Sequence, residues 1–349
     1  MRIAQVAPLA ESVPPRLYGG TERVVAYLCD ELVGQGHDVT LFASGDSQTL
    51  ARLSPLCAEG LRLSRQTRDS LALHMRMVEE IAGRADEFDV IHFHVAPFHF
   101  PVARRLATAH VTTLHGRLDL PDLAALYQEY SDIPVVSISQ AQRAPIPRAN
   151  WVGTVYHGLP AAELRFRAEG GEYLAFLGRI SPEKRVDRAI AIATGAGYPL
   201  RIAAKVDAVD AGYFAAKIEP LLDHPLVTFV GEIAHADKSA FLGAAKALLF
   251  PIDWPEPFGL VMIEALACGT PVLAFRGGSV EEVIEHGTTG FVVDAVERAI
   301  DAVRTIDTIH RQACRQSFER RFTAERMAAE YMRLYQTACS RRRRGELVS

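Results

Sequence analysis

Basic excess is missing from this chain: 38 lysines and arginines stand against 42 acidic residues, a net charge of −4. That balance lacks the electrostatic footprint of a nucleic-acid-binding protein. Cysteine is scarce as well. Cys29, Cys57, Cys268, Cys314 and Cys339 are odd in number and widely spaced, and no C-x-x-C occurs. This excludes a disulfide framework and a zinc ribbon and leaves buried thiols in a reducing compartment. Long apolar runs are absent too. No uncharged apolar stretch of about 18 residues exists, so no transmembrane helix is expected. The opening Met1–Pro8 reads as a strand rather than as a signal peptide. The expectation is a cytoplasmic protein, with peripheral membrane contact as the most a membrane could have.

Two nucleotide signatures are also lacking. The dinucleotide fingerprint G-x-G-x-x-G does not follow the first apolar run, and the phosphate-cradling G-x-x-x-x-G-K-[ST] occurs nowhere. A dehydrogenase and a P-loop ATPase are thereby disfavoured. No D-x-D triplet is present to bind a metal–diphosphate complex.

What is present is an α/β pattern. Apolar runs at 3–7, 39–43, 90–94, 111–114, 135–138 and 152–156 alternate with amphipathic segments such as 21–32. A second series runs through 173–177, 200–204, 227–230, 247–250, 272–275 and 291–293. Continuous apolar strands separated by helices predict parallel, doubly wound sheets. With 349 residues and a polar lapse at 158–172, two domains are expected. The boundaries fall at 1–158 and 159–319, and an amphipathic segment at 324–338 could belong to either domain.

The chemistry-bearing residues gather at strand ends, where such sheets bind ligands. Gly19-Gly20-Thr21 follows the first strand; Thr21 is expected to cap a helix whose N-terminus favours an anion. Gly178–Lys184 reads G-R-I-S-P-E-K. Arg179 can fork onto two diphosphate oxygens and Lys184 adds a point charge, with Ser181-Pro182-Glu183 as a helix start. The densest signal runs from Phe250 to Val272, with a helix expected from near Phe258 to Gly269 and apolar except for Glu264. A carboxylate there needs a partner. Glu256 and Glu264 would lie about 12 Å apart if both were helical, whereas glycosidase carboxyls stand roughly 5–9.5 Å apart. They read as two handholds on one elongated ligand. Gly277-Gly278-Ser279 repeats the glycine pair before a capped helix. His92, His94 and His99 form a cluster open to a metal, an acceptor-facing or a structural reading.

Together these runs resemble glycosyltransferase family 4: G-R-I-S-P-E-K, E-P-F-G-L-V-M-I-E at Glu256–Glu264, and G-G-S-V-x-E at Gly277–Glu282. Tyr18–Glu22, Leu114-His115-Gly116 and the closing Phe322-Thr323…Tyr331…Tyr335 extend the resemblance over nearly the whole chain. It implies the GT-B fold, α/β, with two Rossmann-like doubly wound domains facing across a cleft. It also implies a C-terminal helix, about 320–340, that crosses back to the first domain. The resemblance further implies a retaining hexosyltransferase acting on a UDP-sugar, UDP-glucose favoured, with no metal or other cofactor. Arg179 and Lys184 would hold the diphosphate, Glu264 the ribose, and Glu256 with the backbone of Phe258, Gly259 and Leu260 the sugar. Gly19 and Gly20 would approach the diphosphate, His115 would face the transferred sugar, and Gly231 completes the donor site. The family often has proline at Glu281, so its carboxylate is assigned to Glu282. It often has glycine where Lys205 stands, which adds a third cation. The catalytic set is then His115, Glu256, Arg179 and Lys184.

A sugar-nucleotide epimerase and a non-catalytic donor-binding protein are the competing classes. The acceptor stays open: small soluble molecules, pterins among them, resemble those of one bacterial subgroup. Lipids would suit a basic helical face of Arg62, Arg65, Arg68 and Arg76. The tail Arg341–Arg344 reads as a frayed, solvated terminus. Oligomeric state is not legible.

Overall fold

A computed structural model describes residues 1–16, 19–62, 64 and 69–343. Tyr18, Arg65, Arg68 and Arg344 lie outside the described residues. The chain divides into two compact units, Met1–Leu159 together with the helix Ala324–Arg343, and Pro160–Thr323.

The first unit holds a seven-stranded sheet in the order β3-β2-β1-β4-β5-β6-β7. The strands are β1 (Arg2–Val6), β2 (Asp38–Ser44), β3 (Arg52–Cys57), β4 (Val90–Phe93), β5 (Ala109–Thr113), β6 (Val135–Ser137) and β7 (Trp151–Thr154). All pair in parallel. The second unit's six-stranded sheet runs β10-β9-β8-β11-β12-β13. Its members are β8 (Leu174–Arg179), β9 (Leu200–Lys205), β10 (Val227–Gly231), β11 (Ala247–Phe250), β12 (Val272–Phe275) and β13 (Gly290–Val293). These pair in parallel as well.

Each order reverses once. In the first sheet the chain leaves β1 on one side through β2 and returns on the other through β4. In the second sheet the reversal lies between β8 and β11. A doubly wound sheet opens a crevice at such a switch point, outside the carboxyl ends of the strands, because the two connecting helices diverge there. The residues that matter sit at these ends. His94 and His115 follow β4 and β5; Lys184 follows β8, and Glu256 follows β11.

The core of the first unit is apolar and well filled, with Phe42, Phe93 and Phe100 fully buried. The helix Ala324–Arg343 belongs to it. That helix packs on the helix Gly20–Gly34 and on β4 and β5. Its Tyr331 and Tyr335 are buried, and Ala324 N–H donates to Leu159 C=O at 2.9 Å. The segment 158–172 is no loose connection. Leu164 is buried, and its carbonyl and that of Ala161 accept from Arg315 at 2.9 Å each. The basic tail is not frayed through the described residues either: Arg342 Nε donates to Ala107 C=O at 2.7 Å.

Several local expectations need correcting. The helix after β1 opens at Gly20 with Gly19 at its cap and no side-chain cap, so Thr21 already lies inside it. Glu22 occupies its first turn, buried, and burial raises its carboxyl above the usual range, with Glu11 adding to the effect. After β8, Pro182–Lys184 forms a 3-10 turn without a side-chain cap. Arg185 then turns left-handed at φ 53°, and the α-helix starts only at Val186. Arg62 lies on a turn before the helix Ser70–Gly83 and pairs with Glu11 at 3.1 Å, so it shares no helical face with Arg76.

Candidate active site

The second unit builds two carboxylate–lysine pairs around one helix. That helix, Leu260–Ala267, is apolar except for Glu264 and buried along most of its length. It ends through two bonds that satisfy its last carbonyls: Gly269 N–H to Leu266 C=O at 2.9 Å and Thr270 N–H to Ala265 C=O at 2.8 Å. Gly269 takes φ 80° there, a left-handed conformation suited to glycine. Glu264 is only 2% exposed, and Lys238 Nζ donates to its Oε1 at 2.7 Å. A buried carboxylate needs such a counter-charge, because desolvating it alone costs several kcal/mol. Lys238 carries no motif, so nothing in the sequence points to it.

Glu256 stands on the loop before the helix, also buried. Lys184 Nζ forms a short ion pair with its Oε2, and Trp254 Nε1 donates to the same oxygen at 3.0 Å. Lys184 also lies 5.1 Å from the Trp254 ring centroid, a cation–π distance. The two glutamates share no partner among the described contacts. The Lys184–Glu256 pair sits over the β8/β11 switch point, because Lys184 follows β8 and Glu256 follows β11.

What holds the Glu256 loop is the glycine pair after β12. Gly278 has φ 54°, and a Cβ there would meet the Glu256 carbonyl oxygen at 2.2 Å. A Cβ on Gly277 would meet the Trp254 carbonyl at 2.9 Å. Ser279 N–H donates to Glu256 C=O at 2.9 Å, and Ser279 Oγ donates to Phe258 C=O at 2.8 Å. Ser279 therefore does not cap the helix behind it, which is a single turn, Val280–Val283. The glycine pair and Ser279 thus act as a buckle for the Glu256 loop. Gly278→Ala should lower stability by roughly 2–4 kcal/mol through left-handed strain and the backbone clash. Chemical denaturation would measure it, and a change within error would remove the buckle.

The remaining cations are not bare. Arg179 Nη2 donates to Glu183 at 2.5 Å and lies 3.8 Å from Asp207 and 3.6 Å from Asp210. Lys205 Nζ pairs with Asp207 at 2.8 Å. Burial pushes the Glu183 carboxyl up, but its backbone bond, Ser181 and Arg179 together outweigh burial and hold it below its usual range. Two cations, Arg179 and Lys205, thus stand among three carboxylates, Glu183, Asp207 and Asp210. Gly231 ends β10 at φ 75° with open space where a Cβ would project. Gly259, at φ 78°, starts the helix Leu260–Ala267. Glu282 lies in the one-turn helix, and its carbonyl accepts from Arg321.

In the first unit, Gly19 lets the loop close on itself, since a Cβ there would meet Pro15 at 2.8 Å. The rings of the histidine cluster are tied into the first unit by hydrogen bonds. His92 is bonded to Tyr335 Oη and Thr113 Oγ1 at 2.7 Å each, and His99 to Ala96 C=O and Thr112 Oγ1 at 3.0 and 2.9 Å. His94 joins Gln5 at 2.8 Å and His115 Nε2 at 2.9 Å. The His115 ring stacks on His157, with centroids 5.3 Å apart. Burial drives His115 down to about 3.

Comparison with known proteins agrees with this layout. Residues 18–157 match the family described as Glycosyltransferase Family 4, and residues 164–323 match Glycosyl transferases group 1. Over 118 residues the chain is 32% identical to N-acetyl-alpha-D-glucosaminyl L-malate synthase of Bacillus anthracis, covering 31% of this chain and 30% of that protein. It is 27% identical to glycogen synthase of Mycobacterium tuberculosis over 79% of each chain. The structure of Anabaena HepE with UDP and glucose superposes with a TM-score of 0.74 at 19% identity, covering 97% of this chain and 100% of that one. The same protein has been solved with UDP-glucose. With both units matched in turn, and the two parallel sheets those matches require, the chain belongs to the family 4, group 1 glycosyltransferases and is a glycosyltransferase enzyme of the GT-B fold.

Proposed function

We propose that this enzyme transfers a hexose, glucose foremost, from a uridine diphosphate sugar to an acceptor hydroxyl with retention of configuration. The observation that carries the reading is the Lys184–Glu256 pair over the second sheet's switch point. The separate Glu264–Lys238 pair supplies a second polar anchor along the same ligand. HepE, a protein of this fold, binds UDP and UDP-glucose.

Breaking the sugar–phosphate bond builds negative charge on the departing diphosphate. An ammonium placed there in advance stabilises the transition state more than the ground state. Lys184 has three N–H donors; one stays on Glu256 and the others turn to phosphate. Arg179 and Lys205 reach the diphosphate by exchanging Glu183 and Asp207 for phosphate oxygens. Glu256 and the backbone N–H groups of Phe258, Gly259 and Leu260 hold the sugar, and Glu264 takes the ribose hydroxyls. Gly19, Gly20, Gly231 and Glu282 frame the donor, and His115 faces the transferred sugar. The acceptor hydroxyl attacks from the face the diphosphate leaves, and its proton passes to the leaving phosphate oxygen. Side-chain cations take the part a metal ion would play.

A thermal-shift screen of nucleotide sugars, followed by an acceptor screen with the winner, tests this directly. UDP-glucose should raise the melting temperature, and free UDP should appear only when an acceptor is supplied. Stabilisation by a purine nucleotide sugar alone would sink the donor assignment, and donor interconversion without acceptor would point to an epimerase. Lys184→Ala should lower kcat/KM by roughly 10²–10³-fold; full activity would remove Lys184 from the diphosphate site.

A further inference from the structure

The histidine cluster is one end of a hydrogen-bonded chain that begins on the C-terminal helix. Tyr331 Oη lies 2.9 Å from Thr113 Oγ1, which lies 2.7 Å from His92 Nε2. His92 Nδ1 is 2.7 Å from Tyr335 Oη, and Gln5 Nε2 donates to that same hydroxyl at 3.0 Å. Gln5 Oε1 is 2.8 Å from His94 Nε2, and His94 Nδ1 is 2.9 Å from His115 Nε2. Gln5, His92 and Tyr335 have no exposed surface, and His94 is 3% exposed. The chain ends at His115 Nδ1, a buried nitrogen with no hydrogen-bond partner among the described residues. All of these residues belong to the first unit.

The positions of the protons follow from the partners. Gln5 Nε2 is committed to Tyr335, so its Oε1 can only accept, and His94 Nε2 must carry the hydrogen. A neutral imidazole has one N–H, so His94 Nδ1 is a lone pair. His115 Nε2 must then donate to it, which leaves His115 Nδ1 as a lone pair too. On the other branch Tyr335 gives its proton to His92 Nδ1, and His92 Nε2–H donates to Thr113. Turning the Gln5 amide over would reverse the first branch and leave His115 with a buried N–H and no acceptor. That is the rarer orphan in folded proteins.

The rings are held neutral, as this requires. Burial keeps His92 and His94 well below the usual imidazole range; His115 adds to the effect on His92, while His92, His115 and His157 add to it on His94. A proton added to His94 would bring two N–H groups face to face, and one added to His115 would leave a buried N–H without an acceptor.

We infer that Gln5, anchored by Tyr335, is a positioning residue that sets the tautomers of His94 and His115 in series, so that His115 presents Nδ1 as an acceptor. Such a nitrogen receives a hydroxyl donor and rejects a phosphate oxygen. The consequence for the sugar rests on the proposed reading that His115 faces it; the tautomers themselves do not.

The test uses the full chain labelled with ¹⁵N-histidine, with long-range ¹H–¹⁵N correlation spectra recorded free and with UDP. Single His94→Gln and His115→Gln variants assign the signals. His94 and His115 should both appear as neutral Nε2–H tautomers. In Gln5→Leu both should shift or mix, with kcat/KM for transfer falling at least about tenfold while UDP affinity holds. Gln5→Glu, which keeps an acceptor toward His94, should restore the tautomers and most of the turnover. A wild-type His115 protonated at Nδ1 overturns the inference without any variant. So do unchanged tautomers, or unchanged turnover, in a folded Gln5→Leu. Wild-type protein with the expected tautomers and no hexosyl transfer would sink the proposed function alone.

Discussion

Replacing Glu264 with alanine is expected to weaken UDP binding on the order of a hundredfold, the loss of two charge-assisted hydrogen bonds to ribose. Titration calorimetry with UDP reads this without any acceptor. The geometry introduces a complication that the test must separate. Lys238 Nζ lies 2.7 Å from Glu264 Oε1, and its side chain is 20% exposed against 3% for the glutamate. Removing the carboxylate strands a half-sheltered ammonium, so a loss of affinity could come from a disturbed fold. Lys238→Met removes the ammonium while keeping the stem. In the double variant Glu264→Ala/Lys238→Met, thermal stability should recover toward wild type, because an ion pair replaced whole is often neutral. UDP affinity should stay low. Recovery of both together would show that Glu264 supports the helix and not the nucleotide.

Much of the fold is legible in the residues because buried parallel strands leave an unmistakable trace. Ala247–Phe250 and Val272–Phe275 are apolar on both faces and buried throughout, and Val90–Phe93 is as deeply buried with only His92 interrupting its apolar run. The strand that escapes notice is β3, Arg52–Cys57, which carries Pro55 and is only half covered. It lies at the sheet edge, where one face of the backbone needs no partner and proline is tolerated. Its pattern therefore never becomes a run. Caps are the weaker reading for a similar reason. Thr21, Ser181 and Ser279 all stand where a cap would serve, but a hydroxyl goes to the best nearby acceptor. For Ser279 that is the Phe258 carbonyl from another loop.

The site is legible in its acids and less so in its partners. An apolar helix with a single glutamate signals a buried charge, so Glu264 announces itself. Lys238 lies 26 positions away in a polar stretch with no distinguishing neighbours, and only the packing of two helices brings it near. The same holds for Glu183, Asp207 and Asp210 around Arg179: their chain spacing contains nothing that forecasts a shared guanidinium. Gln5 is the extreme case. It sits inside β1 among apolar residues, and its meaning depends on Tyr335, 330 positions later.

Glu256→Gln should separate the second handhold from the first by the sign of its effect. Glutamine keeps the size of the side chain and can still accept from Trp254 Nε1, so the loop buckled by Gly278 should stay in place. What is lost is the negative charge that now occupies Lys184. In the wild type, a diphosphate shares that ammonium with the carboxylate. Removing the charge should leave UDP affinity unchanged or tighten it by a few-fold. Turnover should move the other way, falling roughly 10²–10³-fold, because the carboxylate no longer holds the sugar hydroxyls as the glycosidic bond opens. Steady-state kinetics alongside UDP calorimetry reads both numbers. A kcat that falls while the nucleotide binds as well or better assigns Glu256 to the transition state. A parallel loss of both would return it to the role of a plain donor contact, equivalent to Glu264. The contrast also bears on Lys184. If Lys184→Ala weakens UDP binding in the wild type and weakens it more strongly in the Glu256→Gln background, carboxylate and diphosphate compete for one ammonium. Equal losses in the two backgrounds would mean that Lys184 reaches both at once through separate N–H groups.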